Sequence, residues 1–359
     1  MKARTLDPTF DREAWLSILE ESSHDVYHHP AYVIADAQRL DARGVGISVE
    51  GFGAKVLWPL VLRPAVIGGE TDGVGLDASS PYGYGGPIFC GRKESVPELL
   101  RGALAYSSEL GICSIFCRLN PFAGVQVEDL RGAGTLDEGG GTVWCDLSQT
   151  EEELWSHTRP STRTKINKLK RLGFLAQEDL QWTRLGEFLE IYGVTMERVG
   201  AAASYFFSDH YFESLRDDLA GVSKLLTVEI GSKLAAAGIF TERSGIVQYH
   251  LGGTNPEFLN LAPSALLFDF ARQWARFRGN NILHLGGGLG GKVDSLYWFK
   301  SGFSRLSAPS FTGKFVVNES LYSENLRRWE SRLPSALMND SFFPPYRASP
   351  RPPAQTVRE

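Results

Sequence analysis

Two stretches decide how this chain reads: Tyr249-His250-Leu251-Gly252-Gly253-Thr254 and Leu283-His284-Leu285-Gly286-Gly287-Gly288. Each is a short apolar strand that closes on His-Leu-Gly-Gly. Each is followed by a loop and then a helix. Two neighbouring, parallel-looking strands that open at their carboxyl ends into glycine turns favour a ligand, because loop and helix-terminal amides converge there.

Working outward, residues 224–230, 234–241 and 245–251 read as a three-strand meander, with turns at Gly231-Ser232 and Arg243-Ser244. Residues 262–278 are an amphipathic helix, 281–285 a buried strand and 293–300 a short helix. A strand over 315–318 and a helix over 320–333 follow. Upstream, 151–172 reads as one long basic helix, kinked at Pro160. Helices at 183–198 and 208–220 come next. Ser148 with Glu151 three residues on has the form of a capping box that opens the basic helix.

The first part mixes shorter elements. Helices are expected over 11–21, with Asp7 or Thr9 as cap, and over 30–41. Strands over 45–50 and 54–67 form a hairpin through Glu50-Gly51-Phe52-Gly53. A helix over 95–110 and strands over 112–119 and 142–147 complete it. The glycine-rich stretch 132–141 reads as a composition break. With 359 residues, two cores are expected. The expected division is 1–149, 150–319, and a segment 320–347 that packs back on the first part. From Ala348 a Pro-rich tail is expected to be disordered.

Composition narrows the class. Hydrophobic residues make up 43% and charged residues 22%, ordinary for a globular protein. The four cysteines, Cys90, Cys113, Cys117 and Cys145, make neither a disulfide framework nor a zinc pattern. No histidine pair has metal-ligand spacing with a third ligand, so no metal is expected. No leader or membrane-spanning stretch is evident, and a cytoplasmic location is expected. Net charge is −5, yet Arg159, Arg163, Lys165, Lys168, Lys170 and Arg171 crowd one segment that has no acidic residue.

Three groups of residues now coincide: Ser80-Pro81-Tyr82-Gly83-Tyr84-Gly85-Gly86-Pro87; Ser161-Thr162-Arg163-Thr164-Lys165-Ile166 with Thr195-Met196-Glu197-Arg198; and the His250 turn followed by Asp294-Ser295-Leu296-Tyr297-Trp298-Phe299-Lys300-Ser301-Gly302-Phe303. In this order, over about 27–316, the chain resembles the Fem family of aminoacyl-tRNA-dependent transferases. The Phe-Lys-x-x-Phe close at 299–303 is the most specific element. The resemblance implies an α/β fold of two tandem GNAT-like lobes, each a mixed twisted sheet flanked by helices. It implies amide formation by transfer of an aminoacyl group from tRNA to an amine, on a peptidoglycan precursor or a small metabolite. The long coiled-coil arm of larger members is missing. Relatives of the fold also use acyl-CoA donors. By the same analogy Lys300 lies near the developing oxyanion, where a fixed cation lowers the barrier.

Other candidates come from residue chemistry. Arg163, Lys165, Lys168 and Arg171 suit a phosphate backbone, with 165, 168 and 171 on one helix face; the alternative is a solvated helix surface. Tyr82 and Tyr84, in a flexible glycine-rich loop, could stack on a base or sugar, or pack as a turn. Arg63 and Arg118 end apolar strands and Arg198 ends a helix. Each suits an anionic group on the acceptor, and each could instead close a local ion pair. His250 and His284 could orient substrate or pass a proton, or be satisfied core histidines; Tyr249 and Thr254 flank His250.

No Gly-x-Ser-x-Gly elbow or phosphate loop occurs. The glycines at 286–291 lack the context of a dinucleotide site. An acetyltransferase pyrophosphate loop is not evident, which favours tRNA over coenzyme A. No bound cofactor is expected. The expected function is therefore aminoacyl transfer from tRNA to an amine. Acyl-CoA-dependent N-acylation of an amino sugar or other amine, and a non-catalytic binding module, are the alternatives.

Overall fold

The computed structural model describes residues 1–332 and 342–348. It is a mixed α/β protein that divides into two compact units. Unit 1 holds Met1–Ser23, Tyr27–Asp137 and the described residues from Phe311 onward; unit 2 holds His24–Val26 and Glu138–Ser310. The expected tail lies, beyond Ala348, outside the described residues, as does Leu333 at the expected end of the last helix.

Unit 1 contains β1 (Lys2–Leu6), α1 (Arg12–Glu20), α2 (Pro30–Arg39), β2 (Arg43–Gly51), β3 (Ala54–Pro64), β4 (Leu76–Ser79), β5 (Ile88–Gly91), α3 (Val96–Glu109) and β6 (Ile112–Arg118). β1, β2, β3 and β4 are antiparallel neighbours, β4 and β6 are parallel, and β5 pairs with β3. Phe52 and Gly53 both have positive φ in the β2–β3 turn (54° and 76°). That is the backbone hand that matches strand twist. α1 starts after Asp11, whose side chain makes no cap bond. Asp7, an expected cap, instead accepts from Thr9 and Phe10 within the preceding turn.

β7 (Thr135–Asp146) begins in the stretch that reads as a composition break. Gly139, Gly140 and Gly141 are strand residues, and at Gly140 neighbouring backbone comes too close for a side chain. A Cβ on Gly140 would sit 2.2 Å from the Gly291 carbonyl oxygen.

Unit 2 continues with α4 (Glu151–His157), α5 (Pro160–Arg171), β8 (Leu175–Glu178), α6 (Leu185–Arg198), α7 (Asp209–Asp217), β9 (Ser223–Ile230), β10 (Lys233–Arg243), β11 (Ile246–Thr254), α8 (Ser264–Phe277), β12 (Ile282–Gly286) and α9 (Ser295–Lys300). The basic region is two helices, not one kinked helix. The chain turns extended at Thr158 and Arg159, and Pro160 takes the first-turn position where its missing N–H costs nothing. The capping box is Thr150 with Glu153, two residues beyond the expected one, while Ser148 bonds Asp146.

The unit 2 sheet runs β7-β12-β11-β10-β9-β8. β11 and β12 are its parallel pair, with Ile246, Val247 and Gln248 opposite Ile282, Leu283 and His284. α8 buries Leu266, Leu267, Phe268, Ala271 and Ala275 in a core with Phe240, Val247, Leu283 and Leu285. Burying a large aliphatic or aromatic side chain stabilises by about 1.5–3 kcal/mol.

β13 (Leu306–Val316) is longer than expected, and its Thr312–Val316 part pairs antiparallel with β6. α10 (Glu319–Arg332) follows. Its Trp329 packs with Ala65, Ile67 and Tyr346 in unit 1. The buried Asp77 carboxylate accepts from Ser114, Tyr346 and Arg347.

Candidate active site

Only β12 ends in a glycine turn, after Gly286, and α9 returns across it; Gly252 and Gly253, expected to open a turn, stay in β11 opposite Gly238 and Ala237. α9 starts cleanly because Asp294 accepts from the backbone N–H of Tyr297. Its other oxygen accepts from Leu289, which ties the glycine loop to the helix. Burial opposes ionisation of Asp294, but these backbone donors hold its carboxyl below the usual range.

Lys300, the last residue of α9, is buried, with 6% of its surface exposed. Its Nζ donates to the Gly287 carbonyl at 2.7 Å and lies 5.5 Å from the centre of the Tyr249 ring. No carboxylate is in ion-pair contact with it among the described residues. Desolvation therefore dominates and pulls its pKa down to about 7, with Asp294 pulling weakly the other way. Such a lysine can give up its proton near neutral pH.

His284 lies on β12 and is fully buried. Burial first, and the charge of Lys300 second, push its pKa down to about 3, so the ring is neutral. His250 is also buried, and its Nε2 pairs with the Tyr211 hydroxyl at 2.9 Å. Tyr249 packs between Phe240 and Phe268, and burial raises its pKa. The Thr254 hydroxyl pairs with Ser264 at 2.7 Å, and its N–H donates to Thr195. Thr195 thus ties α6 to the end of β11, a contact that the Thr195–Arg198 motif in the sequence did not by itself show. Nothing in the linear pattern links Tyr211 to His250, which it meets only in the fold.

α5 turns Thr162, Ile166 and Leu169 inward. Lys165, Lys168 and Arg171 are exposed, and Arg163 is half-buried. None of these four pairs with a carboxylate among the described residues, whereas Lys170 is taken by Asp269 at 2.9 Å. Arg159 joins this helix to α9: its guanidinium donates to the Trp298 carbonyl and to the Ser301 hydroxyl. Its own N–H donates to Gly302. A Cβ on Gly302 would lie 2.6 Å from the Thr162 hydroxyl, so the close approach needs glycine. Arg198, at the end of α6, is exposed.

Unit 1 holds the remaining candidates. The Tyr82 N–H donates to Asp36 and its carbonyl accepts from the Tyr32 hydroxyl. The Tyr84 ring is 6.1 Å from that of Tyr27. Gly83 has φ of 105°, and a Cβ there would meet Tyr27 at 2.3 Å. The loop expected to be flexible is therefore tied down, because backbone bonds and ring contacts hold it. Arg63 is half-buried, and its Nε has no hydrogen-bond partner among the described residues. Burial and then Arg347 lower its pKa. Arg118 is exposed and sits over the Phe116 ring at 5.2 Å.

Among the described residues no cluster of His, Cys, Asp and Glu could hold a metal, and no helix is long and apolar enough to cross a membrane. All four cysteines are free and buried, and burial pushes the thiols of Cys113, Cys117 and Cys145 up to about 12.

Residues 156–291 match the acetyltransferase (GNAT) domain family. A comparison with curated proteins finds no significant match. Among solved structures, FemX is similar with a TM-score of 0.66 and 14% identity, over 90% of this chain and 99% of FemX. L-PGS from Bacillus licheniformis is similar at 0.55 and 14%, over 91% of this chain and 98% of that one. The C-terminal domain (DUF2156) of a candidate lysylphosphatidylglycerol synthetase from Agrobacterium fabrum is similar at 0.56 and 14%, over 90% and 96%. At such identities the likeness is one of fold. The chain therefore has a FemX-like mixed α/β fold, and residues 156–291 within it match the acetyltransferase (GNAT) domain.

Proposed function

We propose that this protein transfers an aminoacyl group from aminoacyl-tRNA to an amine acceptor. The observation that carries the reading is the coupling of α5 to α9. A stripe of cations that has no carboxylate partners among the described residues is anchored through Arg159 to the short helix whose last residue is Lys300. Cations of this kind bind a phosphate backbone without reading sequence. The names of the similar structures fit: FemX, and a lysylphosphatidylglycerol synthetase candidate.

The reaction is direct attack of the amine nitrogen on the ester carbonyl. The C–N bond forms, the C–O bond breaks, and the proton of the amine ends on the released hydroxyl. Holding both partners in one geometry supplies much of the rate. Lys300 is well placed for either half of the proton cycle. As an ammonium it stabilises the oxyanion; as an amine it accepts the proton of the nucleophile. On this reading Tyr249, His250, His284 and Thr254 shape the acyl side of unit 2. Arg63, Tyr82, Tyr84 and Arg118 offer substrate contacts on unit 1, and Arg198 offers one on unit 2. The protein works in the cytoplasm, where charged tRNA is available.

The test mixes the protein with a radiolabelled aminoacyl-tRNA pool and candidate amines. Transfer that RNase abolishes is expected; its absence sinks the reading. A second reading, acylation of an amino sugar or other amine from acyl-CoA, is favoured by the acetyltransferase family match at 156–291. Calorimetry with coenzyme A separates the two, since tight binding selects the second.

A further inference from the structure

The face of the unit 2 sheet opposite α8 carries a line of polar side chains. Register places Thr241 on β10 directly opposite Ser223 on β9, and opposite Gln248 on β11. Gln248 in turn lies opposite His284 on β12. Side chains at paired positions share a face, so Ser223, Thr241, Gln248 and His284 form one row across four strands. Their apolar neighbours along the strands, Phe240, Val247 and Leu283, point the other way into the α8 core. All four polar residues are at least 98% buried: Ser223, Thr241 and His284 have 0% exposure and Gln248 has 2%.

Among the described residues, Ser223 Oγ, Thr241 Oγ1 and Gln248 Oε1 in this row find no hydrogen-bond partner. The Gln248 amide nitrogen is used, donating to the Tyr249 carbonyl. Buried polar groups without partners are costly, and valine or alanine would fill the two hydroxyl positions at no such cost. Three in one line point to a shared hydrogen-bonding guest. The row is closed to solvent, so the guest is of water size, and water satisfies hydroxyls and an amide oxygen equally well.

We propose that Ser223, Thr241 and Gln248 hold a file of buried water molecules that ends at His284 and sets the tautomer of its ring. The three are positioning residues for His284, which lies beside Lys300. A water that accepts from the Thr241 hydroxyl can donate to Gln248 Oε1 and pass the same polarity to the imidazole. The inference concerns the folded protein and holds whatever the donor and acceptor prove to be.

The test uses the full chain and needs no activity assay. Oxygen-17 relaxation dispersion counts long-lived internal waters, and nitrogen-15 spectra of histidine-labelled protein report the His284 tautomer. Thr241→Val is expected to lower the count, shift the His284 nitrogens and lower the melting temperature. Thr241→Ser, which keeps the hydroxyl, is expected to restore all three. A Thr241→Val protein that melts higher, with unchanged waters and His284 nitrogens, overturns the proposal, because the hydroxyl was then only an orphan. If Thr241→Val does not fold, Gln248→Leu is read the same way. Unchanged water count and His284 nitrogens in that variant also overturn it.

Discussion

Lys300 in unit 2 is a buried and Arg63 in unit 1 a half-buried basic side chain, each with no carboxylate in ion-pair contact among the described residues. Burial lowers the pKa of each. The outcomes differ because the groups differ. An ammonium is a compact charge that gives up its proton when desolvated, so Lys300 falls to about 7. A guanidinium starts so high that lowering leaves it charged. Unit 2 thus holds a cation that can switch, and unit 1 a cation that stays. The first suits chemistry; the second suits holding an anion.

The widest break between the two comes from kinetics. Lys300→Ala is expected to lower kcat by about 10²–10³, the loss typical of a deleted oxyanion contact. Arg63→Met is expected to raise KM for an anionic acceptor and leave kcat nearly intact. Steady-state assays that show the reverse split would dissolve the contrast.

A charge reversal of Lys165, Lys168 and Arg171 to Glu tests whether the stripe on α5 serves the same chemistry as Lys300. RNA affinity should fall, and the slope of log K against log salt should shrink by about 2–3, near 0.7–0.9 per lost phosphate contact. Filter binding across a salt series measures it. An unchanged slope means a solvated surface.

Stability against pH sharpens the switch. In the unfolded chain Lys300 keeps its ordinary pKa of 10.5, while in the fold it titrates near 7. Between those values the unfolded state binds the extra proton, so stability rises with pH across that window. A tenfold change in proton affinity between the two states corresponds to about 1.4 kcal/mol. Denaturation of the wild type and Lys300→Met should converge towards pH 10.5 and diverge towards pH 7, with Lys300→Met the more stable there. Parallel curves would show that Lys300 is solvated.

The smallest effect tests the tyrosine loop of unit 1. Gly83→Ala puts a methyl group 2.3 Å from Tyr27 at a φ of 105°. A loss of about 1–3 kcal/mol is expected. A melting temperature unchanged by this substitution would show that the loop is as loose as its composition suggests.

Local rules read the chain well where the signal was local. The β2–β3 hairpin announced itself in Gly51-Phe52-Gly53, and the β9–β10–β11 meander in its turn residues. The two His-Leu-Gly-Gly strands are parallel neighbours, as their shared shape suggested. Where composition was used as a proxy for structure, it misled. The glycines at 139–141 read as a break, although they lie within β7 and Gly140 lets the Gly291 backbone approach. Pro160 read as a kink, although a proline in the first turn begins a helix.

By itself the sequence determined the alternation of strands and helices, the basic stretch at 159–171, and the Phe-Lys-x-x-Phe close, because each depends on residues near one another in the chain. Tertiary structure alone decided that Arg159 reaches α9, 139 residues on, and that Lys300 loses its water. It alone aligned Ser223, Thr241, Gln248 and His284. Strand register sets which side chains share a line and burial sets their charge, and neither is written in the spacing of residues along the chain.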